Sequence, residues 1–237
     1  IDLQALPGEV TVIIGPNGSG KSTLMRAMSG DIPYEGKILL NGHDIQMLKP
    51  WDLASKRAVL PQKSILAFPF TVEEVVHIGL RNGIGAQTTK IIYDALSSVG
   101  LSAYAQRQYA ELSGGEQQRV QLARVLAQVW TPYEMGQARW IFLDEPVSSL
   151  DIAHQIEVIN IAREYARSGG GVIAIMHDLN LTSMVADKIA ILHQGKTLCQ
   201  GVPKDVMTDN WLSHAYECDL RVNTSPKTPA TYILPHL

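Results

Sequence analysis

Residues 15–22 read Gly-Pro-Asn-Gly-Ser-Gly-Lys-Ser and match the phosphate-loop pattern G-x-x-x-x-G-K-[ST] at every position. The apolar residues 10–14 predict a buried strand before the loop, and residues 22–28 predict a helix after it that ends at Gly30. This strand–loop–helix setting is the one that the pattern requires. The alternative is a glycine-rich turn without a ligand, which the complete match disfavours. The chain is therefore predicted to bind a nucleoside triphosphate.

The residue types of the loop each suit a task in holding phosphate. Glycines let the backbone turn its amides toward phosphate oxygens at the positive end of the following helix. Lys21 is expected to reach the β- and γ-phosphates, and the Ser22 hydroxyl is expected to bind Mg²⁺. The predicted nucleotide-binding residues of the loop are Gly15, Pro16, Asn17, Gly18, Ser19, Gly20, Lys21, Ser22 and Thr23.

Composition limits the possible functions. The chain has 237 residues, 46% of them hydrophobic, which is enough for one large α/β domain. Its net charge of −3 gives no electrostatic reason to expect a nucleic-acid partner. Cys199 and Cys218 lack metal-ligand spacing and are expected to be reduced, partly buried thiols. No apolar run approaches the roughly 18 residues that cross a bilayer. Residues 1–4 look like the end of a strand, so we expect an N-terminal piece before them.

The order of predicted elements indicates the fold class. Apolar runs at 140–143 and 172–176 are typical of central strands in a parallel sheet. Asn41-Gly42 predicts a type I′ hairpin, and residues 72–129 have a helical pattern. We therefore predict an α/β P-loop NTPase core with an antiparallel β subdomain and an inserted helical subdomain.

The domain organisation follows from this order. We expect a single domain over residues 1–237, with the helical subdomain at about 72–129 and an irregular tail at about 219–237. A helix is predicted over 152–168 and a second hairpin over 189–200.

Two adjacent carboxylates follow a predicted central strand. Asp144 and Glu145 stand at its C-terminal end, where open α/β sheets hold ligands. Asp144 is expected to hold Mg²⁺, directly or through water, and Glu145 to act as general base on the attacking water. The alternative is an acidic strand end that leads into a turn at Pro146, and the nearby phosphate loop favours the catalytic interpretation.

A second anion site is predicted at the start of a helix. Ser113 and Glu116 match a capping box, whose simplest interpretation is a helix start. Gly114 and Gly115 are poor helix formers, each costing about 1 kcal/mol relative to alanine. We therefore expect bare first-turn amides and a bare Ser113 hydroxyl that bind phosphate. Since this site is expected to lie too far from the phosphate loop within one chain, we predict two chains head to tail, each closing the other's nucleotide.

This succession of motifs resembles the ATP-binding cassette of ABC transporters. The resemblance extends to about residue 215, and its most specific part is the Ser-Gly-Gly signature, which other P-loop NTPases lack. It implies ATP and Mg²⁺ as cofactors. Its elements in chain order are the phosphate loop, Gln62, Leu112-Ser113-Gly114-Gly115-Glu116, Leu143-Asp144-Glu145-Pro146, Ser148-Ser149-Leu150-Asp151 and His177.

The resemblance implies roles for residues that would otherwise look like ordinary polar positions. Gln62 would sense Mg²⁺ and the attacking water, and His177 would contact the γ-phosphate and hold Glu145 and the water in place. Asp151 would lie at the dimer interface and couple the two sites. The residues implied to bind the partner's nucleotide are Ser113, Gly114, Gly115, Glu116 and Asp151.

Two features depart from the family pattern. Such cassettes usually stack the adenine on an aromatic residue upstream of the phosphate loop, but no aromatic residue precedes Tyr34 here. That aromatic residue is expected in the preceding N-terminal piece. Residues 131–137 lengthen the connection that follows the signature helix, and we expect them to form a surface loop away from the motifs.

A finer resemblance rests on segments outside the motifs. Residues 66–76, 131–137 and 150–155 resemble the hemin-import ATPases of Gram-negative bacteria, a branch that also includes iron-siderophore and vitamin B12 importers. It implies an ATPase homodimer under a permease dimer at the cytoplasmic face of the inner membrane, with a periplasmic haem-binding protein as an indirect partner. The ATPase does not touch the cargo, so His154 and His193 are expected to be exposed polar residues.

One apolar segment has two interpretations. Phe68, Pro69 and Phe70 either receive a short permease helix in a groove beside Gln62 or pack in the core of the helical lobe.

Other ATPase classes fit less well. An ATPase for an iron-siderophore or vitamin B12 stays an alternative. DNA-repair cassettes insert a long coiled coil, whereas only about fifty residues separate Gln62 from Ser113. Translation-type cassettes occur as two in one chain. A P-loop kinase or GTPase would lack the signature.

Overall fold

The predicted central strands form one six-stranded sheet. A computed structural model describes residues 1–62, 66, 68–80 and 86–225. The strands of the sheet are β1 (Val10–Ile14), β4 (Arg57–Leu60), β7 (Trp140–Asp144), β8 (Gly171–Ile175), β9 (Lys188–His193) and β10 (Lys196–Gly201). Their order is β10-β9-β1-β8-β7-β4, and only β10 runs antiparallel to its neighbour.

The parallel register aligns the carboxyl ends of three strands. Ile13 in β1 pairs with Ile175 in β8, and Asp144 in β7 pairs with the same Ile175. The loops that leave β1, β7 and β8 therefore begin at the same edge of the sheet. This is where open α/β sheets place their ligands.

Helices cover both faces of the sheet. Side chains alternate across a strand, so Val12 and Ile14 pack into one core cluster while Ile13 packs into another. Every residue of β1, β7 and β8 is buried, as expected for strands covered on both faces. The helices are α1 (Lys21–Met28), α2 (Pro50–Lys56), α3 (Val72–Gly79), α4 (Ala86–Ser98), α5 (Gly114–Gln128), α6 (Ile152–Arg167), α7 (Leu179–Val185), α8 (Pro203–Val206) and α9 (Asp209–Tyr216).

The region predicted to be helical contains α3, α4 and α5. The apolar stripe of α4 is buried at Ile92, Ala95 and Leu96 and continues to Val99 beyond the helix. Gly100 follows with a φ of +69°, a conformation that glycine adopts without strain. Short 3₁₀ turns at Ser102–Tyr104 and Tyr109–Glu111 connect α4 to α5.

The predicted hairpins form, and one predicted loop is a third hairpin. Strands β2 (Leu39–Leu40) and β3 (His43–Asp44) flank Asn41 and Gly42, whose φ values of +51° and +80° are typical of a type I′ turn.

Residues 131–137 lie at the surface as expected, but they form a hairpin instead of a loop. Strands β5 (Tyr133–Glu134) and β6 (Gln137–Ala138) pair there, because Met135 and Gly136 both take positive φ and close a two-residue turn. Met135 at the tip is almost fully exposed.

Other sequence expectations concern single residues and the tail. Cys199 is half-buried as expected, but Cys218 is exposed. Residues 219–225 contain neither helix nor strand, and the rest of the predicted tail, 226–237, lies outside the described residues. Among the described residues, no helix is both long enough and apolar enough to span a membrane.

Candidate nucleotide site

The phosphate loop leaves β1 at the carboxyl edge and leads into α1. Gly15, Gly18 and Gly20 have φ values of +147°, +78° and +98°, which other residues rarely adopt. A Cβ at Gly15 would lie 2.1 Å from the carbonyl oxygen of Leu192. Since the N-cap Gly20 has no side chain, the first-turn amides of α1 are not capped by one. This geometry creates an anion site at a helix N-terminus.

Lys21 lies inside the curve of the loop. Its Nζ donates to the carbonyl oxygens of Gly15 at 2.8 Å and Pro16 at 2.9 Å. Burial lowers the pKa of Lys21, and the negative charges of Glu145 and Asp144 oppose this effect. An ammonium group has three N–H donors, so one donor remains for a phosphate oxygen.

C-terminal elements support the loop from behind. The Gly15 N–H donates to the Tyr216 hydroxyl at 3.2 Å, and the Gly195 N–H donates to the Ser19 carbonyl at 3.1 Å. Sequence analysis missed Tyr216. It lies 201 residues from Gly15, and its surroundings in the sequence contain no motif that could have indicated the contact.

Asp144 is a buried carboxylate with an available oxygen. The side chain is 8% exposed, and Oδ1 has no hydrogen-bond partner in the part of the chain that the structure describes. Burial raises the pKa of Asp144, the charge of Glu145 raises it further, and a hydrogen bond from Ser22 partly opposes both. An uncoordinated carboxylate oxygen beside a hydroxyl fits Mg²⁺, which prefers oxygen ligands.

The rest of a Mg²⁺ shell would come from outside the acidic side chains. Within residues 1–62, 66, 68–80 and 86–225, no three His, Cys, Asp or Glu side chains cluster as a metal site. Mg²⁺ is usually bound by one or two carboxylates together with phosphate oxygens and waters.

Glu145 stands at the edge of the sheet in contact with two predicted site residues. Its Oε1 lies 2.6 Å from Nε2 of His177, and its carboxylate also accepts a hydrogen bond from Gln62. Burial alone would raise the pKa of Glu145, but these hydrogen bonds and the charges of His177 and Lys21 keep it below its usual value. The carboxylate is therefore ionised at neutral pH, as a general base must be.

The signature turn, formed by Ser113, Gly114 and Gly115 at the start of α5, differs from the expectation in one respect. The prediction of a bare Ser113 hydroxyl is wrong, because Glu116 completes the capping box. Glu116 accepts from the Ser113 N–H and from the Ser113 hydroxyl, both at 2.8 Å. A Cβ at Gly114 would meet nothing within 4 Å, so the turn faces open space.

Two other predicted positions lie at the ends of elements, Asp151 before helix α6 and His193 at the end of strand β9. Asp151 caps α6 by accepting from the His154 N–H at 3.0 Å, and that hydrogen bond holds the pKa of Asp151 below its usual value. The expectation that His193 is exposed is wrong. Its ring is partly buried, lies 5.5 Å from the His214 ring and contacts the Ala215 carbonyl.

The structure thus brings one group of predicted residues together at the carboxyl edge of the sheet. The phosphate loop, Asp144 and Glu145 meet at the carboxyl edge together with Gln62 and His177. Within the described ranges, Ser113 and Asp151 form their side-chain hydrogen bonds in their own helix caps, and Glu116 bonds to Ser113 in its cap and to the Tyr104 side chain.

Comparison with known proteins identifies the family. Residues 1–148, more than half of the chain, match the family described as ABC transporter. The chain belongs to the ABC transporter family. The predicted family and fold class are therefore confirmed.

Curated ABC transporter relatives match almost the whole chain. The hemin import ATP-binding protein HmuV of Jannaschia sp. (strain CCS1) is 62% identical over 237 residues, which is 100% of this chain and 88% of the relative. The protein of the same name from Roseobacter denitrificans is 61% identical and covers 100% of this chain and 90% of its own length. That of Mesorhizobium japonicum is 52% identical, with 99% and 91% covered.

Solved ABC transporter structures share the fold. An ATP-binding cassette in its ADP conformation has a TM-score of 0.77 at 23% identity, covering 92% of this chain and 91% of that chain. A bacterial Atm1-family exporter with ATP bound has a TM-score of 0.73 at 27% identity, covering 86% of this chain and 35% of that chain.

Proposed function

We propose that the chain is the ATP-hydrolysing subunit of a hemin importer. Family membership and the HmuV names of full-length relatives at 52% to 62% identity support this function. The observation that carries the hydrolytic role is the contact of an ionised Glu145 with His177 at 2.6 Å, at the strand edge beside the phosphate loop. We also propose a single domain over residues 1–237, with the helical subdomain at about 72–129.

The nucleotide would be held by groups on the loop. Gly15 to Thr23 would surround the phosphates, and the third donor of Lys21 would bind a γ-phosphate oxygen. Ser22, Gln62 and Asp144 would hold Mg²⁺, which when bound neutralises charge on the phosphates. Asp144 would gain a partner for its Oδ1, and this removes part of the cost of burying its charge.

Hydrolysis would then use three side chains. Glu145 would take a proton from a water as the water oxygen attacks the γ-phosphorus and ADP leaves. His177 would hold the Glu145 carboxylate in place through their 2.6 Å contact, and Gln62 would orient the water. General-base catalysis of this kind contributes about 10²- to 10⁴-fold in rate.

A second chain would complete each site. We propose a head-to-tail homodimer in which Ser113, Gly114 and Gly115 of one chain contact the γ-phosphate bound by the other, with Glu116 and Asp151 nearby. The Ser113 hydroxyl would leave Glu116 to bind phosphate, while the Ser113 N–H keeps its bond to Glu116. Separation of the chains after hydrolysis would drive transport.

The transporter would place this dimer against a permease dimer at the cytoplasmic face of the bacterial inner membrane. Phe68 is 71% exposed and packs edge-on against Phe70 at 6.1 Å between ring centres. The exposure of Phe68 favours a docking groove for a permease helix, whereas Phe70 is half-buried and packs against the core, as the alternative interpretation expects. A periplasmic haem-binding protein would be an indirect partner.

The test measures growth on hemin, which reports the cargo, and ATPase activity, which reports the role of Glu145. In a bacterium deleted for this gene, the wild-type chain is expected to restore growth on hemin as the iron source, and Glu145→Gln is not. Restored growth on a ferric siderophore but not on hemin would reject the proposed cargo. Purified Glu145→Gln with wild-type ATPase activity would reject Glu145 as the base.

A further inference from the structure

We propose that Gln118 is a positioning residue that ties the signature helix to the backbone of the catalytic base. Gln118 lies in the second turn of α5, the helix that begins at the signature turn. Its Nε2 donates to the carbonyl oxygen of Pro146 at 2.8 Å and to that of Glu145 at 3.2 Å. This inference rests on the proposed role of Glu145.

The backbone of Glu145 needs such support. Its φ is +53°, a left-handed conformation that costs a non-glycine residue about 1–3 kcal/mol and persists only where the surroundings fix it. The Glu145 N–H donates to the Ile175 carbonyl at 3.1 Å. Its carbonyl accepts from Gln118 and from the Ser148 hydroxyl at 3.2 Å. Gln118 is thus one of the groups that hold the carbonyl of Glu145, the residue with the left-handed backbone.

The signature helix contacts the same segment one turn earlier. A Cβ at Gly115 would lie 3.3 Å from Leu150 Cδ2 and 3.4 Å from the Ser149 carbonyl, so the first turn of α5 packs closely on residues 149–150. Gly115 and Gln118 are three residues apart and therefore share a helix face. Helix α5 accordingly holds both ends of the segment from Glu145 to Leu150.

A second glutamine holds this segment from the other side. Gln155 in α6 donates from Nε2 to the carbonyls of Leu150 at 3.1 Å and Val147 at 3.3 Å. Of these two glutamines, Gln118 is the one on the helix that carries the signature turn. A shift of that turn, when it binds the γ-phosphate of the partner chain's nucleotide, would move Glu145 through Gln118. Each catalytic base would thereby depend on the nucleotide in the other half of the dimer.

The chain offers a matched control on the same helix. Gln128, at the far end of α5, also donates from Nε2 to two backbone carbonyls, those of Ala54 at 2.9 Å and Arg57 at 3.1 Å. Gln118→Met and Gln128→Met therefore remove the same kind and number of hydrogen bonds. Only the first change removes a hydrogen bond to the backbone of the base.

The experiment measures kcat, KM for ATP and the melting temperature of the full chain. Gln118→Met is expected to lower kcat about 10- to 100-fold with KM within about twofold, because misplacing a catalytic group by about 1 Å has this effect. Gln128→Met is expected to keep kcat near that of the wild type. A Gln118→Met enzyme with wild-type kcat would overturn the inference, as would an equal loss of kcat in both variants.

Two further variants keep the test decisive if Gln118→Met does not fold. Gln118→Lys keeps donors for the two carbonyls and is expected to retain most of kcat, whereas Gln118→Glu offers only acceptors and is expected to lose it. Equal kcat for these two variants would overturn the inference. Glu145→Gln is measured in parallel. If it is inactive while Gln118→Glu is fully active, only this inference fails; if it is fully active, the proposed function of Glu145 fails.

Discussion

Replacing Asp144 by asparagine should stabilise the protein without nucleotide and abolish its activity. The Asp144 side chain is 8% exposed, its Oδ1 has no partner among the described residues, and burial raises its pKa. An unsatisfied buried polar group costs about 1–3 kcal/mol and a charged one costs more. An amide of the same shape stays polar but removes the part of the cost that is due to the charge, which we take as about 1–3 kcal/mol. Because about 1 kcal/mol shifts the melting temperature of a chain of this size by about 2–4 °C, Asp144→Asn should raise it by roughly 2–12 °C.

The advantage of asparagine should depend on pH and on ligand. A buried carboxyl whose folded pKa is raised destabilises the fold fully above that pKa and not at all below the unfolded value of 3.8. The difference between variant and wild type should therefore be largest at neutral pH and shrink as the pH falls. With Mg²⁺-ATP at about 100 times its Kd, the wild type should gain about 2.7 kcal/mol, and the variant, which lacks the metal ligand, should gain less.

The assay is thermal unfolding of wild type, Asp144→Asn and a control, with and without Mg²⁺-ATP. Asp209→Asn is the control, since the Asp209 side chain is 43% exposed and the Val222 N–H, at 2.7 Å, holds its pKa below the usual value. The control should not raise the melting temperature. If Asp144→Asn melts at or below the wild-type temperature without nucleotide at neutral pH, the reasoning about its buried charge is refuted.

Three further predictions concern the same site. Gly15→Ala should weaken ATP binding at least about 10-fold, because its Cβ would lie 2.1 Å from the Leu192 carbonyl oxygen. A titration with ATP measures this affinity, and an affinity equal to that of the wild type would contradict the close approach. Tyr216→Phe should raise KM for ATP about 2- to 10-fold with kcat unchanged, because the Gly15 N–H loses its acceptor. Tyr165→Phe, whose hydroxyl donates to a carbonyl outside the site, should leave KM unchanged, and equal KM values for both variants would argue against the support of the loop. His177→Ala should move the acidic limb of the kcat–pH profile to higher pH, since His177 lowers the pKa of Glu145; an unmoved limb would show that another group sets it.

The parts of the site that sequence analysis predicted are local in the chain. The octet at 15–22 contains its own turn glycines, its lysine and its helix start, so its geometry follows from neighbouring residues. Asp144 and Glu145 were placed correctly because an apolar run ends immediately before them and parallel strands end at one edge.

The parts that were missed depend on contacts between distant residues. Tyr216 meets Gly15 across 201 positions, and no local pattern encodes that contact. Gln118 left a weak signal, since it lies four and seven residues before the buried Leu122 and Val125, on the stripe of α5 that packs inward. A polar residue on a buried stripe needs a partner, but the sequence does not identify the carbonyls of Glu145 and Pro146 as that partner.

Two corrections arise from side-chain and turn chemistry. Residues 131–137 form a hairpin and not the expected loop, because Met135 and Gly136 both take positive φ at its tip, although methionine is not typical of the first position of a type I′ turn. The Ser113 hydroxyl was expected to be bare, but Glu116 at the third helical position closes the capping box. In both cases the residues that decide the local structure are present in the sequence, but they form a different interaction from the one that we expected.

The central claim, that two chains share two ATP molecules, is tested most directly by the solution mass of Glu145→Gln. Light scattering on this variant should give one chain of 26.0 kDa without nucleotide and twice that mass with Mg²⁺-ATP, with one ATP retained per chain. A variant that retains ATP at full stoichiometry while its mass stays that of a single chain would contradict the claim.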